Sequence, residues 1–216
     1  MENNEIKAPD GALIEKRIHF LSIIGQIEGH YVLPEGQKAT KYEHILPALA
    51  EAEIRDDVDG IIMLINTVGG DVEAGLAIAE TVAGMTKPVV SLVLGGGHSI
   101  GVPLAVAARH SLIVSTATMT LHPVRVNGLV IGVPQSFESL NRMQDRIISF
   151  ICKNSSVKED KLRSLMMKTD EMTTDVGSII SGEEAVSIGL IDGVGGIGDA
   201  ISALRKIIAD TRQMPT

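Results

Sequence analysis

The sequence predicts an α/β fold in which helices connect the strands of a parallel sheet. Apolar, β-branched runs alternate with segments of helical spacing, and two of these runs end in glycine-rich turns that lead into helices. The strand Gly60 to Asn66 precedes Gly69-Gly70-Asp71, and the strand Pro88 to Leu94 precedes Gly95-Gly96-Gly97. A repeated order of strand, glycine turn and helix favours crossover connections between parallel strands.

The segments on either side of these units complete the prediction. Arg17 to Ile27 is typical of a buried strand, Gly36 to Thr40 of a loop, and Lys41 to Arg55 of a helix. After the second glycine turn we expect two short strands, an extended segment and four helices. The strands are Leu112 to Ser115 and Met119 to His122, the extended segment is 128–134, and the helices are Gln135 to Asn154, Lys158 to Lys168, one from near Glu183, and Ile197 to Ala209.

Length and composition limit the kind of protein. With 216 residues and no internal repeat, we expect a flexible extension at 1–16, one domain at 17–210 and a tail at 211–216. The net charge of −8 and the absence of Trp argue against a nucleic-acid partner. The chain starts without a secretory signal, and its apolar runs are shorter than a bilayer span. These features predict a cytoplasmic protein without a membrane span.

Ser99 is a candidate nucleophile because it follows a glycine turn where a helix is expected to start. Its simplest interpretation is an N-cap, and the glycine turns alone could reflect tight packing or phosphate binding. Neither turn carries the Lys-Ser/Thr pair of a phosphate loop or the dinucleotide glycine spacing. A serine at such a bend can instead present its hydroxyl, while the amide of Ile100 points at a developing oxyanion.

A serine nucleophile needs a base, and the chain has six histidines. His98 is adjacent to Ser99, so the two side chains are expected to diverge. His122 ends a predicted strand before Pro123, at the edge of the sheet where sites form. A hydrogen-bonded core histidine is an equally good interpretation of His122 from local sequence. The others are interpreted as structural or surface residues: His19, His30, His44 and His110.

A third group would have to orient the imidazole of His122, and carboxylates serve this role in serine hydrolases. Asp170 and Asp175 both follow the predicted long helices. A surface role is the ordinary interpretation of either residue, and the pattern alone leaves the choice between them open.

Several motifs, in their order along the chain, resemble the ClpP-type serine peptidases. They are RIHFL, INTVGGDVEAG, GGGHSIGVPLA, TMTLHPV and SGEEAVSIGLID, and they extend from Arg17 to Asp192. Within that family the likeness is strongest to the translocation-enhancing branch. The resemblance implies a superhelical fold of repeated β-β-α units, with a protruding strand and long helix, the handle, at about 124–155.

The resemblance also implies roles for particular residues. Ser99 would be the nucleophile, His122 the base, and the amides of Gly70 and Ile100 the oxyanion donors. A gap-free alignment places Gly177 where the family has its acid. Asp175 fits that role if two residues are inserted, and Asp170 is the second candidate. No metal and no cofactor is implied.

Partners follow from the same resemblance. We expect a homo-oligomer, a heptameric ring or stacked rings, that acts on peptides or unfolded proteins. The segment Gly29 to Tyr42 looks longer than is usual in the family, and a tyrosine-rich dock is hard to build from Tyr31, Tyr42 and three Phe. These departures argue against an ATPase unfoldase partner. The apolar stripe of the long helix favours pairing between two rings.

Three rival functions fit parts of the pattern. A crotonase-like acyl-CoA enzyme also uses two backbone amides as an oxyanion hole, but it needs no Ser-His pair. A Ser-Lys peptidase would have to use Lys87, which lies at the far end of its strand. A non-catalytic ring scaffold in protein export is the third alternative.

Overall fold

The structure is a computed structural model that describes residues 17–126, 131–170 and 176–213. Its strands, in chain order, are β1 (Ile18–Glu28), β2 (Ala39–Lys41), β3 (Gly60–Gly70), β4 (Val89–Gly97), β5 (His110–Ile113), β6 (Thr118–Leu121), β7 (Ser178–Ser181) and β8 (Gly193–Val194). Its helices are α1 (Tyr42–Ile54), α2 (Val72–Gly84), α3 (Gly101–Val106), α4 (Pro134–Lys153), α5 (Glu159–Met166), α6 (Gly182–Ser187) and α7 (Ile197–Gln213).

A mostly parallel sheet organises the chain. Its main path runs β2-β1-β3-β4-β5-β8, and every neighbouring pair on this path is parallel. β6 leaves this path: it pairs with β4 in parallel and with β7 in antiparallel orientation. The α/β prediction with a parallel sheet and crossover helices is confirmed, and the β6–β7 pair is an antiparallel addition to it.

The central strands are apolar because helices cover the sheet on both faces. Ile61, Met63 and Ile65 of β3 belong to a core cluster that also contains buried residues of α1, α2 and α3. Ile62 faces the other way, into a smaller cluster that includes Leu204 of α7. Side chains that alternate along β3 therefore pack into two different hydrophobic clusters, one on each face of the sheet. This explains why the sequence of the strand is continuously hydrophobic.

Three short strands were not predicted. β2 lies partly in the predicted loop Gly36 to Thr40, where Thr40 Oγ1 accepts a hydrogen bond from the Ile24 amide at 2.8 Å. β7 and β8 have only four and two residues. Strands of this length depend on pairing with distant segments, and local composition carries little signal for them.

The long helix α4 is divided between a buried and an exposed part. Its last two turns bury Ile147, Ile148, Phe150 and Ile151, whereas Phe137 near its start is 67% exposed. Part of the predicted extended segment, residues 128–130, lies outside the described residues. The handle, the superhelical arrangement and the division at 1–16, 17–210 and 211–216 stay predictions.

One face of β1 exposes apolar side chains. Leu21 and Ile23 are buried, while Phe20 and Ile24, which point to the opposite face, are 48% and 47% exposed. Leu94 of β4 is also exposed, at 42%. No helix in the described part of the chain is long and apolar enough to cross a bilayer.

Asp71 begins α2 as its N-cap, with Oδ1 accepting a hydrogen bond from the Ala74 amide at 2.8 Å. We expect Asp71→Ala to lower the free energy of unfolding by about 1 kcal/mol, because that amide loses its acceptor. Urea unfolding measures the effect. Asp71→Asn keeps an oxygen at the same place and is the matched control, so equal losses in both variants would contradict this explanation.

Candidate active site

A cleft of about 280 Å³ opens beside the carboxyl ends of β3 and β4. In parallel sheets the carboxyl ends of the strands meet at one edge, and the following turns build sites there. Ser99, Ile100, Gly70 and His122 all line this cleft. The structure thus brings together four of the five residues that the sequence assigns to catalysis.

The backbone at Ser99 has a conformation that is uncommon for serine. Its φ is +56°, and Ser99 is the one non-glycine residue with positive φ in the described part of the chain. The left-handed region costs a non-glycine residue roughly 1–2 kcal/mol. The predicted helix start is therefore displaced: Ile100 is the N-cap of α3, which begins at Gly101. Ser99 occupies a sharp turn before the helix, rather than the cap position.

Glycine at position 69 allows the end of β3 to lie directly against Ser99. Gly69 has φ +91°, and a β-carbon built there would lie 2.7 Å from Ser99 Cβ and 3.2 Å from Ser99 Oγ. Gly70 has φ +151°, and a β-carbon there would lie 2.2 Å from the Ile27 carbonyl oxygen. The Gly-Gly pair is thus explained by close approach of the backbone to the serine and to β1.

Packing of α2 fixes the residue after Ser99. The Ile100 side chain is only 2% exposed, and a β-carbon at Gly75 of α2 would lie 2.4 Å from its Cγ1. Because this side chain is held in the core, the orientation of its own backbone amide is held as well.

His122 follows directly after β6, which ends at Leu121, one residue before the predicted strand end. Its Nδ1 lies 2.6 Å from the carbonyl oxygen of Pro123. A carbonyl can only accept, so in this hydrogen bond Nδ1 carries the proton and donates it. In the neutral ring Nε2 then carries the lone pair, which is the state that a general base requires.

Gln144 of α4 supports the segment that follows His122, and the sequence reasoning missed it. Its Oε1 accepts a hydrogen bond from the Val124 amide at 2.7 Å, and its Nε2 lies 3.6 Å from Met166 Sδ. Gln144 lies on α4 near the predicted apolar stripe, but no short motif connects it with residue 124. The contact spans 20 residues and depends on how α4 packs.

The acid is the least defined of the predicted groups. Asp175, the preferred candidate, lies outside the described residues. The side chain of Asp170 is 78% exposed, with one carboxylate oxygen 4.0 Å from Lys168 Nζ. Gly177 lies against His122, and a β-carbon there would be 2.8 Å from His122 Cβ and 2.4 Å from the Leu121 carbonyl oxygen. Backbone crowding therefore keeps position 177, where the alignment places the acid, as glycine.

His98 is half-buried and makes a specific contact. Its Nδ1 lies 2.8 Å from Thr120 Oγ1, and its burial lowers the pKa of the imidazole. Two other histidines have partners outside the cleft: His30 Nδ1 lies 3.2 Å from the Tyr42 hydroxyl, and His110 Nδ1 lies 3.3 Å from Asp192 Oδ2. The cleft itself also contains Thr120, which the sequence reasoning did not single out.

Apolar side chains form much of the cleft wall. They come from the end of β3, from α2, α3, α4 and α5, and from the segment after His122: Val68, Val72, Val102, Ile147, Ile151, Met166, Pro123 and Val124. Gln26 and Arg125 are the polar members of the lining beyond the residues already described. The cleft thus combines apolar walls with the polar groups of Ser99 and His122.

Comparison with known proteins agrees with the motifs. The Clp protease family model matches residues 16–197. The translocation-enhancing protein TepA of Halalkalibacterium halodurans is 57% identical over 194 residues, 90% of this chain and 76% of that protein. The ATP-dependent Clp protease proteolytic subunit of Leuconostoc citreum is 29% identical over 157 residues, 69% of this chain and 74% of that protein. The family resemblance and the likeness to TepA are confirmed, and the chain belongs to the Clp protease family.

Proposed function

We propose that this protein is a serine peptidase that hydrolyses peptide bonds of unfolded proteins or peptides. The observation that carries the proposal is the convergence of Ser99 and His122, from separate chain segments, on one cleft. Membership in the Clp protease family supports the same chemistry.

The mechanism is acyl transfer to water. Ser99 Oγ attacks the peptide carbonyl carbon, and His122 Nε2 takes the hydroxyl proton. The tetrahedral intermediate collapses when the C–N bond breaks and the imidazolium returns the proton to the leaving amine. Water then attacks the acyl-enzyme with the same base, which releases the acid product and restores the serine hydroxyl. No metal or cofactor takes part in these steps.

The amides of Gly70 and Ile100 would stabilise the oxyanion. Along a strand, successive amides point to opposite sides, and the amide of Asp71 donates to the Ile27 carbonyl in β1 at 3.0 Å. By this alternation the Gly70 amide would point away from β1. Gly69 holds this part of β3 against Ser99. Each such donor typically contributes ~3 kcal/mol of transition-state stabilisation.

Asp175 is the proposed triad acid. Gly177 lies against His122, and residue 175 is two positions earlier in the same segment. The exposed carboxylate of Asp170 is instead next to Lys168. The Pro123 carbonyl already fixes the His122 tautomer, so the acid's main role would be to stabilise the imidazolium that forms during the reaction.

Assembly into a ring, heptameric or stacked, would enclose the cleft and restrict it to unfolded chains. The apolar face of β1 supports this part of the proposal, because Phe20 and Ile24 are half-exposed in the single chain. Phe137 of α4 is a second exposed apolar residue, and it would suit contact between two rings. The likeness to TepA favours a role linked to protein translocation. We place the protein in the cytoplasm, and its two Tyr and three Phe residues argue against an ATPase partner.

A serine-directed fluorophosphonate probe tests the proposal. We expect covalent labelling of the purified protein at Ser99, located by peptide mass spectrometry, together with hydrolysis of a short unstructured peptide. An assembled ring that stays unlabelled and cleaves nothing would contradict the peptidase and favour the scaffold. Tight coenzyme A binding without labelling would favour the acyl-CoA enzyme.

A further inference from the structure

Thr120 contacts the two residues that lead into and form the serine turn. Its hydroxyl oxygen lies 2.8 Å from His98 Nδ1, and its carbonyl oxygen accepts a hydrogen bond from the Ser99 amide at 2.9 Å. One residue of β6 is thus bonded to both the nucleophile and the side chain immediately before it.

The same residue is part of the strand that leads to the base. Side chains alternate along a strand, so Thr118, Thr120 and His122 share one face of β6, while Met119 and Leu121 are buried on the other. Backbone pairing with β7 holds this strand in register. Thr120 therefore connects the turn that bears Ser99 to the strand that bears His122.

The imidazole of His98 is held on both sides. A β-carbon built at Gly96 would lie 2.4 Å from His98 Nε2, so the ring packs directly over the backbone of the glycine turn. Thr120 contacts the other ring nitrogen. The His98 amide also donates to the Thr67 carbonyl of β3 at 3.2 Å. The ring fills the space between the glycine turn and β6.

Burial lowers the pKa of His98, so the ring is neutral at pH 7. A neutral imidazole has one donor and one acceptor nitrogen, and a threonine hydroxyl can pair with either. The neutral His98 ring therefore packs beside the serine turn and contributes a hydrogen bond there, without adding a charge near Ser99. The turn needs such support because Ser99 is held in a left-handed conformation that serine does not favour.

We propose that His98 and Thr120 are a pair of positioning residues, whose side-chain contact fixes Ser99 relative to His122. This inference rests on the proposed peptidase function. Neither side chain takes a proton from the substrate or from Ser99. Their role is to hold the attacking oxygen at the distance and angle that the base requires. A small displacement of such a group strongly lowers the rate of the chemical step.

Two substitutions remove the contact, and the first of them leaves the side-chain volume almost unchanged. Thr120→Val deletes the hydroxyl but keeps the shape and the carbonyl that binds Ser99, and His98→Ala deletes the ring. We expect each to lower kcat and the second-order rate of fluorophosphonate labelling roughly ten- to a hundredfold, with KM unchanged. The double variant should be no slower than the slower single variant, since both remove the same contact.

Three further variants separate positioning from general damage. Thr120→Ser keeps the hydroxyl and should recover most of the rate lost in Thr120→Val. Thr118→Val alters the same strand face two residues earlier and should label at the wild-type rate. Gly96→Ala should displace the ring and slow labelling as His98→Ala does, yet add nothing in a His98→Ala background.

The outcomes distinguish this inference from the function on which it rests. Wild-type protein that labels at Ser99, with Thr120→Val labelling equally fast, would overturn the positioning role alone. Equal losses in Thr118→Val and Thr120→Val, or additive losses in the double variant, would overturn it too, because they indicate damage to β6. A wild-type protein that neither labels nor cleaves would overturn the peptidase, and the positioning role with it.

Discussion

The Ser99→Ala variant is expected to lose peptide hydrolysis by a factor on the order of 10⁴ or more in kcat, and to lose fluorophosphonate labelling altogether. The loss follows because the attacking hydroxyl is removed while the proposed oxyanion donors stay in place. Any remaining turnover would come from water attacking a substrate held by the Gly70 and Ile100 amides. Steady-state hydrolysis of a short peptide and a gel-based labelling assay measure the two effects.

The Ser99→Ala variant should fold normally. Alanine has the same difficulty as serine with φ +56°, so the free energy of unfolding should change by less than about 1 kcal/mol. Ser115→Ala, in the exposed turn between β5 and β6, is the matched control and should keep full activity. Full hydrolysis by Ser99→Ala would disprove the assignment of the nucleophile.

The second large effect is expected from Asp175→Asn, which should lower kcat roughly 10²- to 10⁴-fold. A carboxylate next to the imidazolium stabilises the charge that forms when His122 takes the serine proton, and an amide lacks that charge. The Pro123 carbonyl keeps the His122 tautomer in either variant, which places the expected loss below that of Ser99→Ala.

Asp170→Asn is the matched control, because the carboxylate of Asp170 is exposed beside Lys168. We expect its kcat to stay within about twofold of wild type, as for most surface substitutions. The reverse pattern, a large loss in Asp170→Asn and none in Asp175→Asn, would transfer the role to Asp170.

Much of the sheet could be predicted because its strands are long and apolar. Gly60 to Asn66 corresponds to a buried strand, and Arg17 to Ile27 to a strand that is buried on one face only. The glycines expected in the two turns form the last residues of β3 and β4 instead. The convergence of Ser99 and His122 could be predicted from strand order as well, since parallel strands present their carboxyl ends at one edge.

The details of the site depend on contacts between distant residues, which cannot be predicted from local sequence composition. The His98–Thr120 hydrogen bond spans 22 residues, and the Gln144–Val124 bond spans 20. The antiparallel pairing of β6 with β7 joins segments about 60 residues apart, and this pairing brings Gly177 against His122. A local reading of the sequence assigns none of these neighbours, because each results from how whole elements pack.

The backbone angle at Ser99 affects which substitutions this position would accept in evolution. Glycine enters the left-handed region freely, so Ser99→Gly would relieve roughly 1 kcal/mol of strain while removing the hydroxyl. Selection for folding stability alone would therefore favour glycine at this position. A serine at this position is therefore explained by the proposed chemistry rather than by folding, and a lineage that no longer needed the chemistry would be expected to replace it with glycine first.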